Sequence, residues 1–177
     1  AKKMDAGDMI QEVRVPIGPA MTFGELEEVL CNVGEKALLD VILSFEKGEP
    51  LRIPQDHSFA TFAPKIELED CEIDWNRPAQ EIHNLVRGVN PYPGAWCSIT
   101  VKGDKKRLKI NSTRIVSSGA ERPGTILNIQ QNKGNLVIAT ADQSLELIDV
   151  QLEGKKRMSS EELTRGILRQ YLSFVVV

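Results

Sequence analysis

The stretch WCSITVKGDKKRLKINSTRIV, residues 96–116, says most about how this chain folds. Its ends, Trp96–Val101 and Leu108–Val116, are rich in β-branched residues and flank the polar, glycine-containing segment Lys102–Arg107. This pattern predicts two strands joined by a turn. Three more strands are predicted further along the chain, at Thr125–Ile129, Leu136–Thr140 and Leu145–Leu152. Five short strands at such regular spacing favour a small barrel.

Helices are predicted on both sides of these strands. Ala79–Val89 places Ile82, Leu85 and Val86 on one helical face. Ser159 and Glu162 form a capping box that opens a last helix through Leu163, Ile167 and Leu168. The tail, Phe174–Val177, is predicted to pair as a strand.

The first part of the chain is organised differently. Alternating apolar residues predict a strand over Ile10–Ile17. Thr22 and Glu25 form a capping box, and apolar residues at three- and four-residue steps predict a helix over Phe23–Lys47, with an irregularity at Gly34. One strand is too little to cover this helix, so we expect an incomplete unit. The proline-punctuated residues 49–67 predict a linker.

Composition bounds the class of protein. The 177 residues are 41% hydrophobic and 27% charged, which excludes a disordered chain, a collagen and a coiled coil. No apolar run approaches the roughly 20 residues that span a bilayer. The net charge of −3 conceals two unlike parts. Residues 1–75 hold 7 Lys/Arg against 16 Asp/Glu, a net −9, and residues 76–177 hold 15 against 9, a net +6. The second part therefore favours a polyanionic partner.

The basic residues of the second part fall into two clusters, which are predicted to reach phosphates in a salt-dependent way. One surrounds the predicted hairpin, the other a turn: Lys102, Lys105, Lys106, Arg107, Lys109 and Arg114; Lys155, Lys156 and Arg157. Aromatic residues are only 5%, so shape-and-phosphate recognition of a structured RNA is favoured over base stacking. We expect Trp75, Tyr92 and Trp96 to pack in the core.

Three cysteines, Cys31, Cys71 and Cys97, lie far apart and form no CxxC pair. They indicate a reducing compartment and no metal framework, and each is expected to be a small buried residue.

Motifs in one order and spacing extend over nearly the whole chain. They are MDAGDM (4–9), FAPKI (62–66) followed by ED (69–70) and IDW (73–75), Ile82 to Arg87, NPYPGAW (90–96), PGTIL (123–127), VIAT (137–140) and QLEGKKRM (151–158). Together they resemble the methionyl-tRNA formyltransferase family.

The resemblance implies transfer of a formyl group from 10-formyltetrahydrofolate to the amino group of methionyl initiator tRNA, by a cytoplasmic, monomeric enzyme without metal or membrane. It implies an α/β remnant, the end of a Rossmann-like formyltransferase domain, in residues 1–48 and a linker in residues 49–67. Residues 68–177 would be a mostly β, OB-like small barrel with flanking helices that holds the tRNA.

The family's catalytic set is an Asn, a His two residues later, and an Asp. Asp5 matches that Asp, with Met4 in place of the usual Leu, and both residues would meet the folate. The Asn and His would precede Ala1, and neither His57 nor His83 matches the family position. The tetrahedral intermediate of formyl transfer needs an oxyanion donor and a proton acceptor, and Asp5 serves only the second role. The chain alone is therefore expected to be inactive.

The tRNA contacts implied for this chain are Lys65, Arg87, Lys105, Lys106, Arg107, Lys109, Arg114, Lys155, Lys156 and Arg157. Two alternatives stay open. One is another folate-dependent enzyme, acting on an amino-sugar nucleotide or hydrolysing 10-formyltetrahydrofolate. The other is a non-catalytic OB-type RNA-binding module, against which the apolar face of the Phe23–Lys47 helix counts.

Overall fold

The computed structural model describes residues 4–101, 103–117, 121–127 and 134–166, and the chain divides into two compact units, Ala1–Lys65 and Ile66–Val177. The first unit contains one long helix, α1 (Phe23–Glu46), and a short 3-10 turn, His57–Phe59. The capping box predicted for α1 is present, because the Thr22 side chain accepts from the Glu25 N–H and the Glu25 carboxylate accepts from the Thr22 N–H. The helix runs through Gly34 without interruption, so the expected irregularity there is wrong.

Helix α1 has an apolar face that the described residues do not cover. None of its residues is buried, and Leu38 and Ile42 are 62% and 52% exposed. The helix also places Cys31 at the surface, which corrects the expectation that all three cysteines are buried.

The strand predicted over Ile10–Ile17 does not form. Within the described residues, the only strand-like pairing of this part of the chain is between Met9 and Ile53, which exchange two backbone hydrogen bonds of 2.8 Å. Residues 10–17 therefore alternate in sequence without a neighbour to pair with, and Pro16 has no N–H to offer one.

The second unit is a mostly antiparallel sheet with flanking helices. Its strands are β1 (Ala95–Val101), β2 (Asp104–Val116), β3 (Val137–Ala139), β4 (Ser144–Leu152) and β5 (Met158–Ser159). They follow the order β1-β2-β4-β3, with β5 also on β4, so the described strands form an open sheet. The helices are α2 (Ala79–Gly88), α3 (Ser160–Gly166) and the short 3-10 turn Glu69–Cys71.

Most of the sequence-based elements of this unit are confirmed, and two need comment. The Thr125–Ile129 strand is reduced to a single bridge between Ile126 and Ile138, and residues 128 and 129 lie outside the described residues. The Ser159–Glu162 capping box is present, because the Ser159 N–H and hydroxyl donate to Glu162. Ile167, Leu168 and the tail strand lie outside the described residues as well.

The turn predicted over Lys102–Arg107 is too long. Strand β2 begins at Asp104 and pairs with Val101, so Lys105, Lys106 and Arg107 belong to the strand. Polar side chains continue this strand because only one of its faces is covered, and their polarity alone suggested a turn.

The core lies between α2 and the covered face of the sheet. Ile82 and Val86 of α2 are buried with Leu108 and Ile110 of β2 and with Leu147 of β4. Trp75 is 4% exposed and belongs to the same core. Pro78, at the N-terminal boundary of α2, makes no side-chain cap. Instead Asp142, in the turn between β3 and β4, accepts the Ala79 N–H at 2.8 Å and so joins the helix to the sheet.

We expect Leu147→Ala to lower the free energy of unfolding of the second unit by about 2–5 kcal/mol, because the substitution opens a cavity in a packed core. Ile148→Ala, at the neighbouring and partly exposed position, is the matched control and should cost much less. Urea unfolding followed by tryptophan emission measures both, because Trp75 and Trp96 both lie in this unit. Equal losses for the two variants would contradict this placement of the core.

A second expectation concerns the pH dependence of stability. The hydrogen bond from the Ala79 N–H has the largest effect and holds the pKa of Asp142 below its ordinary value of 3.8, against burial, which raises it; the Thr140 hydroxyl lowers it further. The stabilisation by this carboxylate is thus fully present above about pH 4 and is lost as the pH falls through the lowered pKa. Asp142→Ala should therefore be less stable than the parent chain by a constant amount from pH 5 to 7. The difference in stability between the two chains should narrow as the pH falls below 4, and a difference that stays the same as the pH falls would count against this linkage.

Candidate functional site: a clamped aspartate turn and a basic groove

The Asp5 turn is held in place by a residue far along the chain. Asp5 is exposed and adopts a φ of +58°, a left-handed conformation that is uncommon for a residue other than glycine. The Gln55 side-chain amide donates from Nε2 to the carbonyl oxygens of Asp5, at 3.1 Å, and of Gly7. The bridge between Met9 and Ile53 adds two backbone hydrogen bonds beside it. The turn that carries Asp5 is thus fixed at several points.

Sequence reasoning did not find Gln55. The residue lies 50 positions from Asp5, in a segment that reads as a linker, and no local pattern marks a long-range hydrogen bond of this kind. The neighbouring Pro54 signals only an extended backbone.

The Asp5 carboxylate itself has no hydrogen-bond or ion-pair partner among the described residues. Neither histidine forms a hydrogen bond with this carboxylate. His57 lies in the 3-10 turn His57–Phe59, and His83 lies on α2, where its Nδ1 is 2.9 Å from the Thr113 hydroxyl. A free carboxylate can accept a proton or orient a partner group. Within the described residues, the Asp5 carboxylate is therefore an acid–base group to which neither histidine is bonded.

A basic groove of about 720 Å³ lies over the β1–β2 hairpin and the end of β4. Lys105, Arg107 and Lys109 occupy every second position of β2, and the buried Leu108 and Ile110 occupy positions between and after them. The three cations therefore point away from the core. Lys106 and Gly154 line the groove as well. The four predicted contacts Lys105, Lys106, Arg107 and Lys109 are therefore brought together.

The proline-rich turn NPYPG contacts Lys109, one of the residues that line this groove. The Lys109 side chain runs across Gly94, where an added Cβ would lie 1.8 Å from Lys109 Cε, and its Nζ is 3.5 Å from the Pro91 carbonyl oxygen. Gly94 also has a φ of +89°, which favours glycine. Both observations explain why a glycine ends the turn.

The Arg107 guanidinium lies over an aromatic ring that lines the groove. Its guanidinium carbon is 4.3 Å from the Trp96 ring centroid. The Trp96 Nε1–H donates to the Leu68 carbonyl at 2.9 Å, which fixes the ring. The Arg107 N–H donates to Glu153 at 3.0 Å, and the Glu153 N–H donates to the Arg107 carbonyl at 2.9 Å. Trp96 is partly buried and packs against the core while it also lines the groove, whereas Tyr92, 81% exposed, is not in the core.

The remaining predicted cations have different surroundings. Arg114 forms an ion pair with Glu146 of the neighbouring strand, with 2.8 Å from Nε to Oε2, and Arg157 forms one with Asp149 at 2.7 Å. Arg87 donates to the Asn84 side chain at 3.0 Å. Lys155 and Lys156 are exposed in the turn after β4, and Lys65 is exposed in the first unit. Lys102 lies outside the described residues.

Other chemistries find little support in the described part of the chain. It contains no group of three or more His, Cys, Asp or Glu side chains that could hold a metal ion. Burial raises the pKa of the Cys97 thiol to about 12, so this cysteine is not a nucleophile at neutral pH. No described helix is both long and apolar enough to cross a membrane.

Comparisons with known proteins agree on one family. The chain is 60% identical over 175 residues, 99% of its length, to a methionyl-tRNA formyltransferase of Protochlamydia amoebophila, and covers 54% of that relative. It is 40% identical over 166 residues to the methionyl-tRNA formyltransferase of Symbiobacterium thermophilum, covering 92% of this chain and 49% of the relative. The chain thus spans about half the length of these curated relatives.

A similar fold occurs in the crystal structure of HypX from Aquifex aeolicus in complex with tetrahydrofolic acid, with a TM-score of 0.62 at 20% identity. That match covers 94% of this chain and 29% of HypX. Residues 65–168 match the model described as formyl transferase, C-terminal domain. Since that match includes more than half of the residues, the chain belongs to the family of formyl transferase C-terminal domains.

Proposed function

We propose that this chain is the carboxyl-terminal part of a methionyl-tRNA formyltransferase. Such an enzyme transfers the formyl group of 10-formyltetrahydrofolate to the amino group of methionyl initiator tRNA, in the cytoplasm. The observation that carries the proposal is the 60% identity over 99% of this chain with the Protochlamydia relative. Residues 1–48 would belong to the catalytic domain, residues 49–67 would link the domains, and residues 68–177 would form an OB-like domain that holds the tRNA.

The uncovered face of α1 supports the assignment of residues 1–48 to a larger domain. A helix with Leu38, Leu39 and Ile42 more than half exposed needs an apolar partner, because an isolated apolar surface invites aggregation. In this proposal the partner is the rest of a Rossmann-like formyltransferase domain. Asp5, on its clamped turn, would be a catalytic residue of that domain.

Asp5 suits one part of the chemistry. Attack of the methionyl amine on the formyl carbon gives a tetrahedral intermediate that bears an oxyanion and a protonated amine. The Asp5 carboxylate can accept the proton or orient a group that does so. The hydrogen bond from Gln55 to the Asp5 carbonyl fixes the backbone that carries this carboxylate. The oxyanion needs a donor such as the family's Asn or His. We therefore expect no turnover from this chain alone.

The described residues do not by themselves fit a folate. Met4 is 86% exposed and Asp5 stands on an exposed turn, so the two residues form an edge rather than a pocket. Sites for ligands of this size usually bury most of the ligand surface. Met4 and Asp5 would therefore meet 10-formyltetrahydrofolate only as one side of a site that other residues complete.

The basic groove supports tRNA as the partner of the second unit. Lys105, Lys106, Arg107 and Lys109 line one concave surface, and Lys155 directly follows Gly154, which lines it too. A surface that is concave and carries several cations concentrates a polyanion and fits a phosphate backbone. Arg114 and Arg157, each neutralised by a carboxylate, contribute less in this proposal than sequence reasoning implied.

The catalytic part of the proposal is tested by assaying formyl transfer to methionyl initiator tRNA. The 177-residue chain should show no turnover, and the complete protein that its gene encodes should be active. In the complete protein, Asp5→Asn should lower kcat by about 100-fold or more, the usual range for loss of acid–base catalysis. The matched control is Asp8→Asn, which changes a second exposed carboxylate of the same turn and should act close to the parent enzyme. Turnover by the 177-residue chain alone would sink the proposed division of the active site.

The tRNA part is tested by binding at several salt concentrations. The double variant Lys105→Gln, Lys106→Gln should bind initiator tRNA more weakly, with the slope of log K against log salt reduced by about 1.5–2, because two phosphate contacts are lost. Lys36→Gln with Lys47→Gln, two cations of α1 and its C-terminal boundary, is the matched control. If both pairs change the slope equally, the groove is not the tRNA site.

A further inference from the structure

We propose that Arg107 and Trp96 form a stacking subsite that takes one unpaired nucleobase of the bound RNA. The inference rests on the proposed function for its RNA partner and adds the part of the RNA that the groove recognises. It also adds a stacked base to the sequence-based interpretation, in which the low aromatic content favoured shape-and-phosphate recognition over base stacking.

The two side chains are held as a rigid pair. The Trp96 ring is fixed through its Nε1–H to the Leu68 carbonyl, and the Trp96 carbonyl accepts the Ile73 N–H at 2.8 Å. The Arg107 backbone is fixed on both sides by Glu153, at 3.0 and 2.9 Å. The guanidinium then lies 4.3 Å from the ring centroid. Because the scaffold already orders these groups, a ligand that stacks on them meets a prepared surface.

The guanidinium of Arg107 is not neutralised within the described residues. Arg114 and Arg157, on neighbouring parts of the same sheet, each pair with a carboxylate, whereas Arg107 lies exposed in the groove with no described carboxylate within ion-pair distance. The carbon at the centre of its planar, delocalised cation lies over the Trp96 ring. The opposite face is available, and nucleobases in RNA complexes stack on such guanidinium planes.

The groove contains cations of two kinds, lysines that suit phosphate contacts and an arginine that suits base stacking. Lys105, Lys106 and Lys109 are flexible point charges, which suit phosphates. An arginine whose guanidinium lies over a tryptophan keeps its in-plane N–H donors for a phosphate or a base edge, and it also offers its second face for stacking. The groove volume of about 720 Å³ lies within the range of small-ligand sites, so it has room for a nucleotide. Bases inside a duplex expose only their edges, so the base that stacks must be unpaired.

The experiment compares two RNAs that differ by one base. Both are hairpins with the same stem and a one-nucleotide 3′ overhang, which carries adenine in one RNA and is abasic in the other. The 177-residue chain should bind the adenine form about tenfold more tightly, in line with the usual contribution of one stacked base. Arg107→Lys keeps the charge and removes the plane. It should bind both RNAs equally, with the salt dependence of the parent chain.

Arg77→Lys is the matched control, because Arg77 is also exposed but is paired with Glu81 outside the groove. It should keep the tenfold preference. Emission from Trp96 should change with the adenine RNA and not with the abasic one, while Trp75 in the core shows that the variants are folded.

Equal binding of both RNAs by the parent chain would overturn the subsite and leave the proposed tRNA partner intact. A preference for adenine that survives in Arg107→Lys would also overturn it. Failure of the parent chain to bind either RNA at low salt would instead count against the proposed function itself.

Discussion

The pairing of β2 with both of its neighbours is the interaction on which the second unit depends. β2 pairs with β1 over Asp104–Ile110 and with β4 over Leu108–Val116, so each part of the strand has a partner and Leu108–Ile110 has one on each side. The alternation of its side chains then decides the rest. Leu108 and Ile110 must face α2 and the core, and this forces Arg107 and Lys109 to the opposite surface. A basic surface and an apolar core thus follow from one register.

Whether each of these arginines is paired with a carboxylate depends on the residues that face it. Glu146 on β4 stands opposite Arg114, and Asp149 lies within reach of Arg157, so both cations are paired. Arg107 stands opposite Ser98 of β1, which offers no charge, and its guanidinium turns to the ring of Trp96 instead. Which cation stays available to a ligand is therefore set by cross-strand partners rather than by its place in a basic run.

Local patterns predicted the elements well where the residues that decide them are close in sequence. The Thr22–Glu25 box begins α1, and the Ser159–Glu162 box precedes α3, because each is complete within four residues. Prediction failed where a partner is distant. The alternation over Ile10–Ile17 resembles a strand, but a strand needs a neighbour that the pattern itself does not contain. The Gln55 clamp and the Arg107–Trp96 contact likewise join residues whose pairing no local spacing reveals.

The bridge between Met9 and Ile53 has a consequence for how the first unit can vary. Residues 10–52, which include all of α1, lie between the two bridged residues, so they form a long loop whose ends are held together. Whole turns added to α1 or removed from it would lengthen or shorten this loop, while Asp5 and Gln55 would keep their hydrogen bond. A single residue inserted between Ile53 and Gln55 would instead shift the amide away from the Asp5 carbonyl. We therefore expect insertions to be tolerated within α1 and not to be tolerated within residues 53–55.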